Sequence, residues 1–85
     1  MTKPNHPEIG RELKVSDLHK GQIAWLQKEG RPSVVSAWVV SISPDFVGFY
    51  AGEIGMDFLA RRTPDDGITD DSNIPMAMYS YLGKP

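Results

Sequence analysis

Five apolar stretches of strand length, separated by turn-forming residues, occupy the chain from residue 22 to residue 82. The stretches are residues 22–28, 33–43, 46–52, 53–63 and 76–82. They are rich in the β-branched and aromatic residues that suit a pleated, half-buried surface. Several short strands at close spacing are typical of a β-sandwich or a β-barrel, and not of a helical bundle. The sequence therefore predicts an all-β fold.

The segments between these stretches contain residues that reverse the direction of a chain. Gly30 and Pro32 separate the first two stretches, Pro44 and Asp45 the next two, and Gly52 begins the third turn. Glycine adopts positive φ without strain, whereas proline presets φ and cannot donate to a central ladder. Because strands joined by short connections usually pair, we expect a meander in which each strand lies beside its predecessor.

Alternation along the strands predicts which side chains face the core. In the fourth stretch Ile54, Met56, Phe58 and Ala60 share one parity and are predicted to face inward, with Leu59 on the outward face. The second stretch is apolar on both parities, so we expect it to be covered on both faces. In the last stretch we expect the methionines inside.

The chain is 85 residues long, which leaves room for one domain with a modest core. Residues 1–10 have little to bury and are predicted to form a flexible N-terminal arm, followed by a barrel domain over residues 11–85. Residues 11–20 carry three apolar side chains and are predicted to lie across one end of the barrel as a lid or short strand. Residues 64–75 are strongly polar and are predicted to be a mobile, solvent-exposed loop.

An apolar entry segment that ends in residues 18–26, a long bent second strand, two tight turns and a short last strand together resemble an SH3-like small β-barrel. The resemblance spans residues 15–83 and concerns the fold alone. It implies a single five-stranded SH3-like barrel with a short N-terminal arm, in which the first and last strands pair. Barrels of this kind serve as peptide readers, nucleic-acid binders and subunit connectors, so the resemblance implies no single function.

Composition and charge indicate the compartment and the class of partner. The chain has no cysteine, no leader-like apolar segment near residue 1 and no apolar run close to the ~20 residues that cross a bilayer. We therefore expect a cytoplasmic protein without membrane contact. Residues 1–32 hold six Lys/Arg and four Asp/Glu, whereas residues 33–85 hold three and seven. Because phosphate binding depends on cationic side chains, this balance argues against a nucleic-acid partner.

Residues that carry out catalysis or bind metals form no recognisable motif in the sequence. Asp65, Asp66, Asp70 and Asp71 lack the register of a calcium-binding loop and are interpreted as a solvated acidic loop. His6 and His19 are the only histidines, too few for a transition-metal site without cysteine. No serine lies in a nucleophile motif. We predict a protein that is not an enzyme and that holds no metal or cofactor.

The aromatic side chains suggest an interaction surface. The predicted core is already supplied by aliphatic residues, so we expect Trp25, Tyr79 and Tyr81 to cluster outside the barrel, with Leu59 also on the exterior. Such a surface predicts a protein-interaction module or a homo-oligomeric accessory protein, which binds itself or a protein partner. The alternative is a small nucleic-acid-binding barrel that uses exposed aromatic residues and four cations, Lys14, Lys20, Lys28 and Arg31.

Overall fold

The computed structural model describes residues 7–82, which form seven β-strands and one turn of 3₁₀ helix at Val15–Asp17. The strands are β1 (Ile9–Leu13), β2 (Ile23–Lys28), β3 (Val35–Ile42), β4 (Phe46–Ala51), β5 (Met56–Arg62), β6 (Ile68–Thr69) and β7 (Pro75–Tyr81). Just over half of these residues are in strands. The all-β prediction is confirmed.

The strands form one antiparallel sheet that closes into a barrel of six strands. Strands β2 to β5 pair in chain order, as the meander prediction required. Strand β6 lies between β5 and β7, and β7 pairs in turn with β2, which completes the circle. The predicted pairing of the first and last apolar stretches is thus confirmed as β2–β7. This small barrel is compatible with the SH3-like architecture.

Two strands were absent from the five-strand prediction. Strand β1 begins at Ile9, inside the predicted arm, and pairs with β7 along the same edge that β6 uses further along the strand. Strand β6 has only two residues, too few for any alternation to be visible in the sequence. Its Ile68 is buried in the core, which the prediction of a solvent-exposed loop over residues 64–75 did not anticipate, although most of the other residues of this segment are exposed. Residues 1–6 of the predicted arm lie outside the described residues.

The barrel interior is filled by side chains of one parity from each strand. Phe49 on β4 is fully buried, surrounded by Leu26, Val39, Val47 and Met78 among others. Phe58, which was predicted to face inward, packs against this core but is only half-buried, and it stacks on Phe49 with 5.5 Å between the ring centroids. Ile54 and Met56, predicted to face inward, are exposed because they lie in the β4–β5 turn and at the rim of the barrel. Only Ala60 of that set is fully buried.

One end of the barrel is closed by the segment that follows β1. Leu13 and Val15 insert into the core, and the N–H of Val15 donates to the carbonyl oxygen of Asp66 at 2.8 Å. The hydroxyl and N–H of Ser16 donate to Oδ2 of Asp66 at 2.5 and 3.2 Å. Backbone and side-chain bonds together fasten the 3₁₀ turn across the barrel end, and the predicted lid is confirmed.

In the part of the chain that the structure describes, no helix has the length and hydropathy needed to cross a membrane.

Candidate protein-interaction surfaces

The predicted exterior cluster of Trp25 and Tyr79 is buried, so that prediction is wrong. These residues lie opposite each other in the β2–β7 ladder, on the outside of the barrel wall, and are only 7% and 2% exposed. Ile9 of β1, with Ala77 and Val34, packs with them into a second apolar cluster. The indole Nε1–H of Trp25 donates to the carbonyl oxygen of Glu8 at 3.0 Å. The sequence pattern correctly placed both rings outside the barrel, but β1 and the residue before it, Glu8, cover them.

The other two predicted surface residues, Tyr81 and Leu59, are exposed but lie apart. Tyr81 is 36% exposed and stacks on Trp25, with ring centroids 5.3 Å apart. Leu59 is 60% exposed and belongs to β5, which is separated from β2 by β3 and β4. The structure therefore does not bring the four predicted residues into one surface.

An exposed apolar surface lies instead on the outside of β3, β4 and β5, and we call it the outer face. Its members are Trp38 and Val40 on β3, Tyr50 on β4 and Leu59 on β5. Trp38 and Tyr50 are directly opposite in the ladder and are 47% and 38% exposed. Such a run of exposed large apolar side chains is typical of an interaction site.

Gly48 and a bulge in β3 bring the members of the outer face close together. The β3–β4 register shifts between Val39 and Ser41, which turns Val40 outward beside Ser41. A Cβ atom at Gly48 would lie 3.4 Å from side-chain carbons of both Val40 and Leu59. Because glycine has no side chain, Val40 and Leu59 approach each other across the middle strand.

The sequence contained a signal for the outer face that was interpreted differently. Trp38 and Val40 share one parity in β3, and this parity was predicted to be covered by other parts of the barrel. The barrel is a single closed layer, so the face of β3 that points away from Ala37 and Val39 has nothing over it among the described residues. The expected burial on both faces is wrong for β3. Burial on both faces occurs instead in β2 and β7, for which it was not predicted, because Ile9 covers their outside.

The end of the barrel opposite the lid is an open cleft of about 560 Å³, which we call the mouth. It is enclosed by the β2–β3 loop, the β4–β5 turn and the β6–β7 turn. Its apolar lining includes Leu26, Val35, Phe58 and Met76 from the barrel interior, with exposed Ile54, Met56 and Leu59 at the rim. Gln27 Nε2 donates to the carbonyl oxygen of Arg31 at 2.9 Å, which anchors one wall.

Asp70 organises another wall of the mouth. Its Oδ1 accepts from the N–H groups of Ser72 and Ile74, both at 2.9 Å, and its Oδ2 lies 3.0 Å from Nζ of Lys28. The N–H of Ile74 and the other donors around Asp70 hold the pKa of that carboxyl below its usual value. Asp70 is thus a structural residue, which the interpretation of a solvated acidic loop did not anticipate.

The four cations of the nucleic-acid alternative do not form one patch. Lys28 and Arg31 line the mouth, whereas Lys14 adjoins the 3₁₀ turn at the opposite, closed end. Lys20 lies beside Trp38 and Tyr50 in a shallow depression of about 480 Å³ that also includes Asp57. Only Lys20 therefore adjoins exposed aromatic rings.

The candidate catalytic and metal-binding groups are scattered or have other partners. Among residues 7–82, no three histidine, aspartate or glutamate side chains converge in a way that could hold a metal ion. Asp65 accepts a bond from the hydroxyl of Thr63, and this bond lowers the pKa of Asp65. The N–H of His19 donates to Oε1 of Gln22 at 3.0 Å, and His6 lies outside the described residues.

Comparison with known proteins gives no relative from which a function could be transferred. No protein-family model, no curated protein and no solved structure matches this chain.

Proposed function

We propose that this chain is a non-enzymatic protein-interaction domain with an SH3-like barrel, and that it self-associates through the outer face. The observation that carries the proposal is the adjacency of exposed Trp38, Val40, Tyr50 and Leu59 on three consecutive strands. Tryptophan and tyrosine are enriched among the residues that dominate binding energy at protein interfaces. Covering this face removes apolar surface from water, which is the main driving force for association.

A second copy of the chain is the occupant favoured by the small size of the barrel. The outer face spans three neighbouring strands, and a two-fold dimer needs only one such surface from each copy. A standard interface covers about 800 Å² per partner, which is roughly one seventh of the 5384 Å² accessible surface of the described residues. Chains this small are also often supported by association.

Sedimentation velocity over a concentration series tests self-association. We expect the wild-type protein to shift from monomer to dimer, and a Trp38→Ser, Tyr50→Ser double variant to remain monomeric with an unchanged circular dichroism spectrum. Ile74→Ser is the matched control, since Ile74 is exposed and apolar but lies in the β6–β7 turn. A wild-type protein that stays monomeric throughout would contradict the proposal, as would a dimer that the double variant retains.

Nucleic-acid binding remains a second candidate because Lys20 adjoins Trp38 and Tyr50. Bases stack on exposed aromatic rings while a cation neutralises a phosphate. Titration with a single-stranded oligothymidine at several salt concentrations separates the two functions. Binding that falls steeply with salt and is lost in Lys20→Ala would favour nucleic acid, whereas apolar self-association changes little with salt.

A further inference from the structure

Strand β5 has a free edge next to the mouth. On one side Met56 to Arg61 pair with β4, but on the other side only Arg61 and Arg62 have a partner, the two-residue strand β6. After Thr69 the chain turns away through residues 70–74 into β7. The other edge of β5 from Met56 to Ala60 therefore has no neighbouring strand in the described part of the chain.

The direction of the backbone groups on this edge follows from one hydrogen bond. The N–H of Arg62 donates to the carbonyl oxygen of Asp45 at 2.9 Å, on the β4 side of the strand. Because successive residues of a strand direct their N–H and C=O groups to opposite edges, Asp57 and Leu59 direct theirs to the free edge. No backbone partner for these two residues exists on that side within residues 7–82. They present two donors and two acceptors in strand geometry.

The mouth and the outer face lie on the two sides of this edge. Phe58 and Met56 point to the mouth, whose lining is partly apolar, while Asp57 and Leu59 belong to the outside of the sheet, with Leu59 also at the rim of the mouth. An added strand directs alternate side chains to the two faces of a sheet. One set would enter the mouth, and the other would lie beside Asp57 and Leu59.

Charges of both signs lie near the edge: Lys20 lies beside Asp57, and Arg61 follows Leu59 on the outward face of β5. Within the free part of the edge, Met56 to Ala60, Asp57 is the one charged side chain. Asp57 and Asp71 are exposed, and no ion pair joins either of them to another side chain of the described residues. Lys28 at the mouth is already paired with Asp70, and Arg31 lies on the β2–β3 loop. A basic side chain on the added strand would therefore find complementary charge at Asp57.

We propose that the free edge of β5 binds an extended peptide segment of a partner protein by β-strand addition. The segment alternates apolar side chains, which enter the mouth, with basic ones, which face Asp57. The backbone groups of Asp57 and Leu59 supply affinity, and the mouth supplies the preference for sequence. This site shares Leu59 with the outer face but does not use Trp38 or Tyr50, so it can be tested in a variant that lacks those two side chains.

Selection from a displayed library of random heptapeptides on the immobilised Trp38→Ser, Tyr50→Ser variant tests the proposal separately from dimer formation. We expect enrichment of sequences that alternate apolar residues with Lys or Arg. The most enriched peptide, synthesised with N-methyl groups on alternate residues, should lose binding although its side chains are unchanged. An enriched pool without alternation, no enrichment, or equal binding of the methylated peptide overturns the proposal.

Two variants separate backbone pairing from side-chain contact. Leu59→Pro removes an edge N–H that β4 does not use, whereas Leu59→Ala keeps this N–H and removes the side chain. We expect about tenfold or greater loss of peptide affinity for Leu59→Pro, a loss equivalent to one or two hydrogen bonds, and a much smaller loss for Leu59→Ala. Equal losses overturn strand addition.

Two further measurements keep the test decisive if Leu59→Pro fails to fold. Asp57→Lys should reverse the preference for basic peptides, and an unchanged preference overturns the assigned charge contact. Amide hydrogen exchange of the free double variant should show rapid exchange at Asp57 and Leu59, with protection at Phe58 and Ala60. Protection of all four amides in the free protein shows that the edge is already occupied and overturns the proposal.

Discussion

Two tyrosines of the last strand, two positions apart, differ in what surrounds them. Tyr79 is held between β2 and β1 in the second apolar cluster, whereas Tyr81 lies near the end of the strand and covers one face of Trp25. Tyr79→Ala should lower the free energy of unfolding by about 3–5 kcal/mol, and Tyr81→Ala by about 1 kcal/mol. Urea denaturation of both variants measures this difference. Equal losses would show that the two rings are buried to the same degree.

Burial also changes the acidity of Tyr79. Burial, and to a smaller extent the charge of Glu12 opposite Tyr79 in the β1–β7 ladder, raises the pKa of the Tyr79 phenol. Because the pKa of Tyr79 is higher in the folded state, its contribution to stability is fully present below the unfolded pKa of about 10. That contribution is lost as pH rises through the folded pKa.

The alkaline loss of stability should therefore be larger in the wild-type protein than in Tyr79→Phe. Thermal melts at neutral pH and above pH 10 measure it, and ultraviolet titration of the phenol should show a lower pKa in Glu12→Gln. If Tyr79→Phe and wild type lose stability in parallel, another group is responsible.

Asp70 and Asp71 are adjacent in sequence but only Asp70 is bonded within the turn. Asp70→Ala should lower the melting temperature at neutral pH, because it leaves the N–H groups of Ser72 and Ile74 without their acceptor. Asp71→Ala should have almost no effect. Since the folded pKa of Asp70 is lowered, its contribution is present above the ordinary value near 4 and disappears as pH falls through the folded value. Melts that show the same difference at pH 2 and pH 7 would contradict this assignment.

At the scale of the strands, the outer face depends on the absence of a side chain in the middle of β4. A Cβ atom at Gly48 would clash with Oγ of Ser41 on β3. Gly48→Ala should therefore cost about 1–3 kcal/mol, the usual range for overpacking. Ser41→Gly should recover part of this loss in the double variant. Chemical denaturation of the wild type, both single variants and the double variant measures these losses. Purely additive losses would show that the two positions do not touch.

The individual strands show which parts of the fold could be predicted from the sequence. Strands β2 to β5 and β7 were predictable, because each is long enough for alternation and is bounded by turn residues. Strand β6 was not predictable, since two residues are too few to show alternation. The burial of Ile68 follows only from the closure of the barrel around it. The burial of Trp25 and Tyr79 depends on β1, whose Ile9 is separated by 16 residues from Trp25. Such long-range coverage leaves no local pattern, so the burial of Trp25 and Tyr79 could not be predicted from the sequence.

At the scale of the whole molecule, self-association should contribute to thermal stability. A dimer that forms only from folded chains raises the melting temperature as protein concentration increases. We expect this rise in the wild-type protein and its absence in the Trp38→Ser, Tyr50→Ser variant. Differential scanning calorimetry at several concentrations measures it. A concentration-independent wild-type melting temperature would argue against dimerisation through the outer face.

The barrel is closed by a strand of only two residues. The pairings of this strand are therefore shorter than those between the other strands of the barrel. Strand β6 joins β5 through Arg61 and Arg62, and joins β7 through Pro75 and Met76. When this short seam opens, the unpaired edge of β5 extends from Met56 to Arg62, while β1 still covers the far part of β7. A longer unpaired edge is a better template for pairing with a strand of another molecule. We therefore expect pairing between molecules, where it occurs, to begin at this two-residue strand.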